Sequence, residues 1–125
     1  MPLLDLHHVQ LAAPPGCEDE ARRFYGELLG LGEIEKPPLL AARGGVWFAV
    51  GGRQLHIGVD PEFVPAQKAH PALRASNRGF LEALAGRLSE AGVDVTWADA
   101  AELPRAIRFY AHDPWGNRVE LIADA

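Results

Sequence analysis

The feature that most constrains the fold of this chain is a weak internal repeat. An offset of 62 residues superposes His8 on His70 and Gly30 on Gly92. After two residues are gained in the later loops, an offset of 64 superposes "GRQLHI" on "GNRVEL", and therefore His56 on Glu120. A fixed spacing of this length indicates two copies of one supersecondary unit. We therefore expect a duplicated fold within the 125 residues.

The first copy reads as β-α-β-β-β. Alternation over residues 3–13 predicts a strand, and "EDEARRFYGELLG" has a helical periodicity that ends at Gly30. Three strands follow in "GEIEK", "VWFAV" and "RQLHIGV"; the proline loop "PPLLAARGG" comes after the first of them, and Gly51-Gly52 forms a two-residue hairpin before the last. The helix is expected to bury Ala21, Phe24, Tyr25, Leu28 and Leu29.

The second copy repeats this order. A strand in "HPALRAS" precedes a helix that Ser76 or Asn77 caps and Gly92 ends, and strands follow in "VDVTWA", "RAIRFYAH" and "NRVELIA". We expect an α+β fold of two β-α-β-β-β modules, forming curved mixed sheets around a metal-binding cleft in one domain. The modules span about 3–59 and 68–123, with a linker over about 60–67. The second helix is expected to bury Phe80, Leu81, Leu84, Leu88 and Ala91.

Composition argues against several kinds of partner. A net charge of −5 gives no basic surface for nucleic acid, and no apolar run approaches the roughly 18 residues of a membrane span. The single cysteine, Cys17, cannot form an internal disulfide, and the N-terminus lacks the features of a secretion signal, so a cytoplasmic location is expected. Cys17 is expected near a helix start, where a thiol pKa can fall, but no base partner is in view.

The repeat also aligns side chains that can ligate a metal. His8, His56, His70 and Glu120 occupy equivalent strand positions, and they would converge on one cavity if the two sheets face each other. Imidazole and carboxylate without thiolate suit divalent Fe, Mn, Ni, Co or Zn, and an inward glutamate is favourable beside a dication. Taken singly, a strand histidine is more often exposed or hydrogen-bonded than a ligand. A three-ligand site of His8, His70 and Glu120 would not need His56.

The segments "HHVQLAA", "ARRFYGELLGL", "HPALRAS" and "DPWGNRVELI", in this order, resemble the vicinal oxygen chelate superfamily. That group includes glyoxalase I, fosfomycin-resistance thiol transferases, extradiol dioxygenases and bleomycin-binding proteins. The resemblance implies that His8, His70 and Glu120 are metal ligands, and it places His56 where glyoxalase I has a glutamate. It also implies a homodimer and a metal that chelates neighbouring oxygens of a small-molecule substrate, stabilising the negative charge that develops on them.

The resemblance leaves the reaction open between glyoxalase-like lyase and dioxygenase-like chemistry. "FY" before "DPWG" resembles the end of the dioxygenase signature and makes Tyr110 a candidate acid or hydrogen-bond donor, but the upstream histidine of that signature is missing. His56 is then a fourth ligand or a base. The alternative is a non-catalytic binding protein of the bleomycin-binding type. The loop "KPPLLAARGG" is a lid or a passive connection. Candidate cleft residues are Trp47, Phe48, Arg53, Arg108 and Trp115, although such aromatic residues more often belong to the core and such arginines to the surface.

Overall fold

The chain folds into two units with the same strand order. A computed structural model describes residues 2–125, which divide into unit 1, ending at Pro65, and unit 2, Ala66–Ala125. Each unit contains an open four-stranded mixed sheet in which the first strand pairs in parallel with the last, and the other pairings are antiparallel. The expected α+β class and the duplicated β-α-β-β-β order are confirmed.

Unit 1 has the sheet order β1-β4-β3-β2. Its first helix begins as α1 and continues without a break as a π-helical segment, in which the Leu29 N–H donates to the Phe24 carbonyl five residues earlier, at 2.9 Å. The elements are β1 His8–Ala13, α1 Glu18–Ala21 with its π-helical continuation Arg22–Leu28, β2 Gly32–Ile34, α2 Pro38–Ala41, β3 Val46–Val50 and β4 Arg53–Val59.

Three details of unit 1 differ from the sequence prediction. Strand β1 begins at His8, so that residues 3–7 lie outside the sheet. The proline loop contains the short helix α2, because Pro38 is preorganised for a first helical turn. In the hairpin between β3 and β4 only Gly51 has a positive φ, of 56°.

The two faces of the unit 1 sheet have different roles. Phe48 and Leu55 are directly paired on β3 and β4, and both are buried in the core with Phe24 and Tyr25 of the π-helical segment. Strand alternation turns their neighbours, among them Trp47 and His56, to the opposite face. The sheet therefore presents its polar and aromatic side chains on the face away from its helix.

Unit 2 repeats the arrangement with the sheet order β5-β8-β7-β6. The Asn77 side chain, rather than that of Ser76, caps the helix, because its Oδ1 accepts the Phe80 N–H at 2.8 Å. The elements are β5 Ala72–Arg74, α3 Arg78–Glu90, β6 Thr96–Trp97, β7 Ala106–His112 and β8 Arg118–Asp124.

Unit 2 also corrects parts of the prediction. Strand β5 is short, so His70 precedes it, and β6 has only two residues. The buried stripe of α3 contains Leu81, Leu84, Ala85 and Leu88, whereas Ala91 is exposed beyond the helix end and Phe80 is 47% exposed. Phe80 lies one residue before the stripe, and one residue corresponds to a rotation of about 100° around a helix of 3.6 residues per turn.

A buried polar turn joins β7 to β8. Oδ1 of Asp113 accepts the N–H groups of Trp115 (3.1 Å) and Asn117 (2.8 Å), and Oδ2 accepts the Asn117 side-chain amide at 2.8 Å. Gly116 supplies a φ of 96°. The motif "DPWGN" therefore has a structural role: it fixes the hairpin register in which Glu120 lies opposite Tyr110.

None of the helices within residues 2–125 has the length and apolar character that a membrane crossing requires.

Candidate functional site

Unit 1 holds His56 in a stack of three rings. On the sheet, His56 of β4 lies between Gln10 of β1 and Trp47 of β3. Its ring is nearly parallel to Trp47, with centroids 3.8 Å apart, and also to His8, with centroids 4.3 Å apart. Only 4% of His56 is exposed, whereas His8 at the start of β1 is exposed. Two predicted ligands, His8 and His56, are therefore in direct contact.

The surroundings of His56 keep its ring neutral. Burial, followed by the positive charge of the neighbours His8, His7 and Lys36, lowers the pKa of His56 to about 4. Nε2 lies 2.8 Å from the Gln54 amide oxygen. A neutral ring that faces an acceptor carries its proton on that nitrogen, so Nδ1 has the lone pair. The sequence interpretation missed Gln54, although its position two residues before His56 in one strand places it on the same face.

Unit 2 pairs the other two predicted ligands. Nε2 of His70 lies 2.9 Å from Oε1 of Glu120, and only 6% of Glu120 is exposed. On the other side of the ring, Nδ1 lies 2.7 Å from the Lys68 backbone carbonyl. Because a carbonyl oxygen only accepts, Nδ1 carries a proton and Nε2 is directed at the carboxylate. A backbone acceptor behind the imidazole is the usual support of a metal-binding histidine.

A half-buried arginine, Arg108, completes the surroundings of Glu120. Nη1 of Arg108 lies 3.5 Å from Oε2 of Glu120 and donates to the Tyr110 hydroxyl at 2.7 Å, while Nη2 lies 3.6 Å from Glu102. Its Nε is buried without a hydrogen-bond partner in the described part of the chain. Arg108 and Arg118 both lie over the Tyr110 ring. The negative charge of Glu120 thus lies beside the positive charge of Arg108. The sequence interpretation did not foresee the contact of Arg118 with Tyr110.

The donor set fits a divalent cation, but it is divided between the units. Imidazole nitrogens and one carboxylate, each with a supporting hydrogen bond, suit Fe, Mn, Ni, Co or Zn. The structure pairs His8 with His56 in unit 1 and His70 with Glu120 in unit 2. Within residues 2–125, no group of three or more His, Cys, Asp or Glu side chains is placed to hold a metal ion. The convergence of all four ligands stays a prediction.

The remaining cleft candidates lie in different environments. Trp47 and Arg108 lie beside predicted ligands, as described. Phe48 is a core residue and not a cleft residue, because it is fully buried and its ring centroid lies 5.9 Å from that of Tyr25. Arg53 lies at the β3–β4 hairpin and pairs with Asp5. Trp115 is part of the β7–β8 turn.

Cys17 differs from the expectation of a lowered thiol pKa. It occupies the N-cap position of α1, but it is almost fully buried. Burial, and then the charge of Glu18, raise the pKa of the thiol above its ordinary value. The thiol is therefore protonated at neutral pH.

Each of the two β-α-β-β-β units carries potential metal ligands on the sheet face away from its helix. This arrangement is typical of duplicated α+β proteins with vicinal oxygen chelate topology. The family model of the Glyoxalase/Bleomycin resistance protein/Dioxygenase superfamily matches residues 6–121. The chain belongs to this superfamily. The resemblance seen in the sequence is thereby confirmed.

Solved structures give the same assignment. A Bacillus anthracis protein described as a glyoxalase family member is 44% identical, with a TM-score of 0.91 over 100% of this chain and 98% of its own. Two more distant structures share the fold. Lactoylglutathione lyase from Agrobacterium tumefaciens is 21% identical, with a TM-score of 0.74 and coverage of 98% and 96%. A fosfomycin resistance protein from Listeria monocytogenes is 16% identical, with a TM-score of 0.77 and coverage of 99% and 96%.

Comparison with curated proteins gives no match.

Proposed function

We propose that the protein is a metal-dependent enzyme that acts on a small molecule with neighbouring oxygen atoms. His8, His70 and Glu120 are the proposed ligands of one divalent ion, and His56 is a fourth ligand or a base. The observation that carries the proposal is the His70–Glu120 pair. Its carboxylate is buried, and its imidazole is held from behind by the Lys68 carbonyl at 2.7 Å. Such support orients a ligand and fixes its tautomer.

A divalent ion at these residues supplies Lewis-acid stabilisation of negative charge on substrate oxygens. The remaining roles belong to the chain. Tyr110 accepts a hydrogen bond from Arg108 at 2.7 Å, so its own hydroxyl hydrogen is available for a substrate oxygen. The neutral ring of His56 provides a lone pair on Nδ1, either for the ion or for a proton. Arg108 holds positive charge beside Glu120 and orients the Tyr110 hydroxyl.

Within the superfamily we propose glyoxalase-like lyase or dioxygenase-like chemistry, in a homodimer. The solved lactoylglutathione lyase supports the first branch through its fold, and the Tyr110 position supports the second. Turnover of glutathione hemithioacetals, catechols and fosfomycin, each with Fe, Mn, Ni, Co and Zn, distinguishes the branches. Light scattering tests the dimer. A monomer at micromolar concentration would contradict that part of the proposal.

The ligand assignment is tested with two glutamates that face the same arginine. Glu120→Gln should lower the affinity for a divalent metal at least about tenfold, because a neutral amide is a poorer ligand than a carboxylate. Glu102→Gln is the matched control, since Glu102 lies 3.6 Å from Arg108 but is exposed. Titration calorimetry of metal-free protein measures both variants. Equal affinities in Glu120→Gln and wild type would remove Glu120 from the proposed site.

A non-catalytic small-molecule binding protein is the second candidate. The observation that favours it is that, in the described residues, no group of three potential ligands is assembled. The cavity lined by Trp47 and His56 would then act as a binding site for a planar ligand. Protein purified without added metal that also fails to bind Fe, Mn, Ni and Zn would support this function over the enzymatic one.

A further inference from the structure

Unit 1 contains a cavity with cationic walls. Its volume is about 430 Å³, within the range of small-molecule sites. Lys36 and Arg43 line it, and no aspartate or glutamate does. The other lining residues are the histidines His8 and His56 and the uncharged residues Gln10, Leu40, Gly44, Trp47, Ile57, Gly58 and Val59. The electrostatic character of the cavity therefore favours an anion.

The two cations retain donors for a ligand. Nζ of Lys36 donates to the Gly44 carbonyl, which fixes the ammonium at the wall and uses one of its three donors. Arg43 is exposed to solvent. Among residues 2–125, no carboxylate lies within ion-pair distance of either side chain. Positive charge that is not already paired is what an anionic ligand requires.

The segment that carries these cations is held in place by specific contacts. Glu18 of α1 accepts the Gly45 N–H at 2.6 Å, which anchors the end of the segment that contains α2. Gly45 has a φ of 87°, and a Cβ at this position would lie 2.2 Å from the Ile57 carbonyl oxygen. Only glycine allows that approach. The Glu18 carboxylate accepts this backbone N–H and does not line the cavity, although its charge also interacts with that of Lys36.

Part of the lining is apolar and aromatic. Trp47, Leu40 and Val59 contribute to it, beside the imidazoles of His8 and His56. We propose that this cavity binds the anionic oxygen group of a small molecule, a carboxylate or a phosphoryl-type group, with the apolar part of the molecule against Trp47. Lys36 and Arg43 bind the charge. The inference names a substrate class for the proposed function and rests on that function, but the binding itself requires no metal.

Binding of simple probes to metal-free protein tests the inference. Benzoate and phenylphosphonate should bind at least about tenfold more tightly than benzamide, because the neutral amide cannot pair with Lys36 and Arg43. Their relative affinities show which anion the cavity prefers. Calorimetry or tryptophan fluorescence gives the affinities. Equal binding of benzoate and benzamide, or no binding of either anion at millimolar concentration, would overturn the inference.

The cations are tested individually against a matched arginine. Arg43→Gln and Lys36→Gln should each weaken the binding of benzoate or phenylphosphonate about fivefold or more, and added salt should weaken it in wild type. Arg23→Gln is the control, because Arg23 is exposed on the first helix of the same unit and does not line the cavity. Unchanged affinity in both Arg43→Gln and Lys36→Gln, or an equal loss in Arg23→Gln, would contradict the assignment.

The same probes separate this inference from the metal proposal. Glu120→Gln should keep its affinity for the anions while losing affinity for the metal, since Glu120 does not line the cavity. Metal binding without anion binding would remove only the inference. Anion binding in a protein that binds no divalent metal would remove only the proposed function.

Discussion

The two units place different chemistry at the same point of one topology. His56 lies opposite Trp47 in unit 1 as Glu120 lies opposite Tyr110 in unit 2. The imidazole of His56 is kept neutral by burial between two rings. The buried carboxylate of Glu120 instead contacts His70 and Arg108. The duplicated backbone thus gives His56 and Glu120 equivalent positions. The neighbouring side chains determine whether the residue at that position carries a charge.

The largest expected effect concerns the positive charge that Arg108 places beside Glu120 in unit 2, whereas the equivalent residue in unit 1, His56, is neutral. Arg108→Met should lower the free energy of unfolding by about 3 kcal/mol at pH 7, because Glu120 loses the cation beside it while remaining buried. The double variant Arg108→Met/Glu120→Gln should recover most of that loss. Chemical denaturation of metal-free protein measures both. A double variant no more stable than the single one would mean that packing, not charge, explains the loss.

The second effect is a pH dependence that originates in unit 1. An unfolded histidine accepts a proton near pH 6.5, whereas folded His56 does so only near pH 4. As pH falls from 6.5 to 4, the unfolded state binds a proton that the folded state does not, so the free energy of unfolding decreases. The contribution of His56 reaches up to about 3 kcal/mol.

The variant His56→Gln isolates this contribution. Denaturation of metal-free wild type and variant at several pH values should show a steeper decline in wild type between pH 6.5 and 4. Parallel declines in the two proteins would assign the pH dependence to other groups.

The smallest effect concerns the stack itself. Trp47→Leu should cost about 1 kcal/mol of stability, the typical contribution of an aromatic contact, and should raise the pKa of His56 by opening it to water. Trp47→Phe keeps a ring over the imidazole and should change both quantities less. Nuclear magnetic resonance titration of the histidines gives the pKa. An unchanged His56 pKa in Trp47→Leu would show that the indole does not shield the ring.

Much of the fold was predictable because local signals and the repeat agreed. The apolar periodicity located both main helices, Gly30 and Gly92 ended them with positive φ, and Asn77 acts as a cap. The offset of 64 aligned His56 with Glu120, and the structure confirms equivalent register for both. The boundaries of short elements such as β5 were wrong, because their pairing depends on partners distant in sequence.

The details of the site were less predictable, because they depend on side chains from several strands. Periodicity gives the face of a residue but not its partner across the sheet, so Gln54 and Arg118 were missed. The position of Cys17 at a helix start was anticipated. A lowered thiol pKa was not found, because burial raises the pKa of Cys17. His70 and Glu120 were both predicted as ligands of one metal, and in the structure the parallel strands β5 and β8 bring their segments together.

The proposed metal site requires that the two ligand pairs bind the same ion. Metal-to-protein stoichiometry and affinity, measured on wild type, His8→Ala and His70→Ala loaded with one divalent metal, test this directly. We predict one ion per chain in wild type and a loss of affinity of at least about tenfold in each variant. Wild-type affinity in His8→Ala, with loss only in His70→Ala, would contradict the claim.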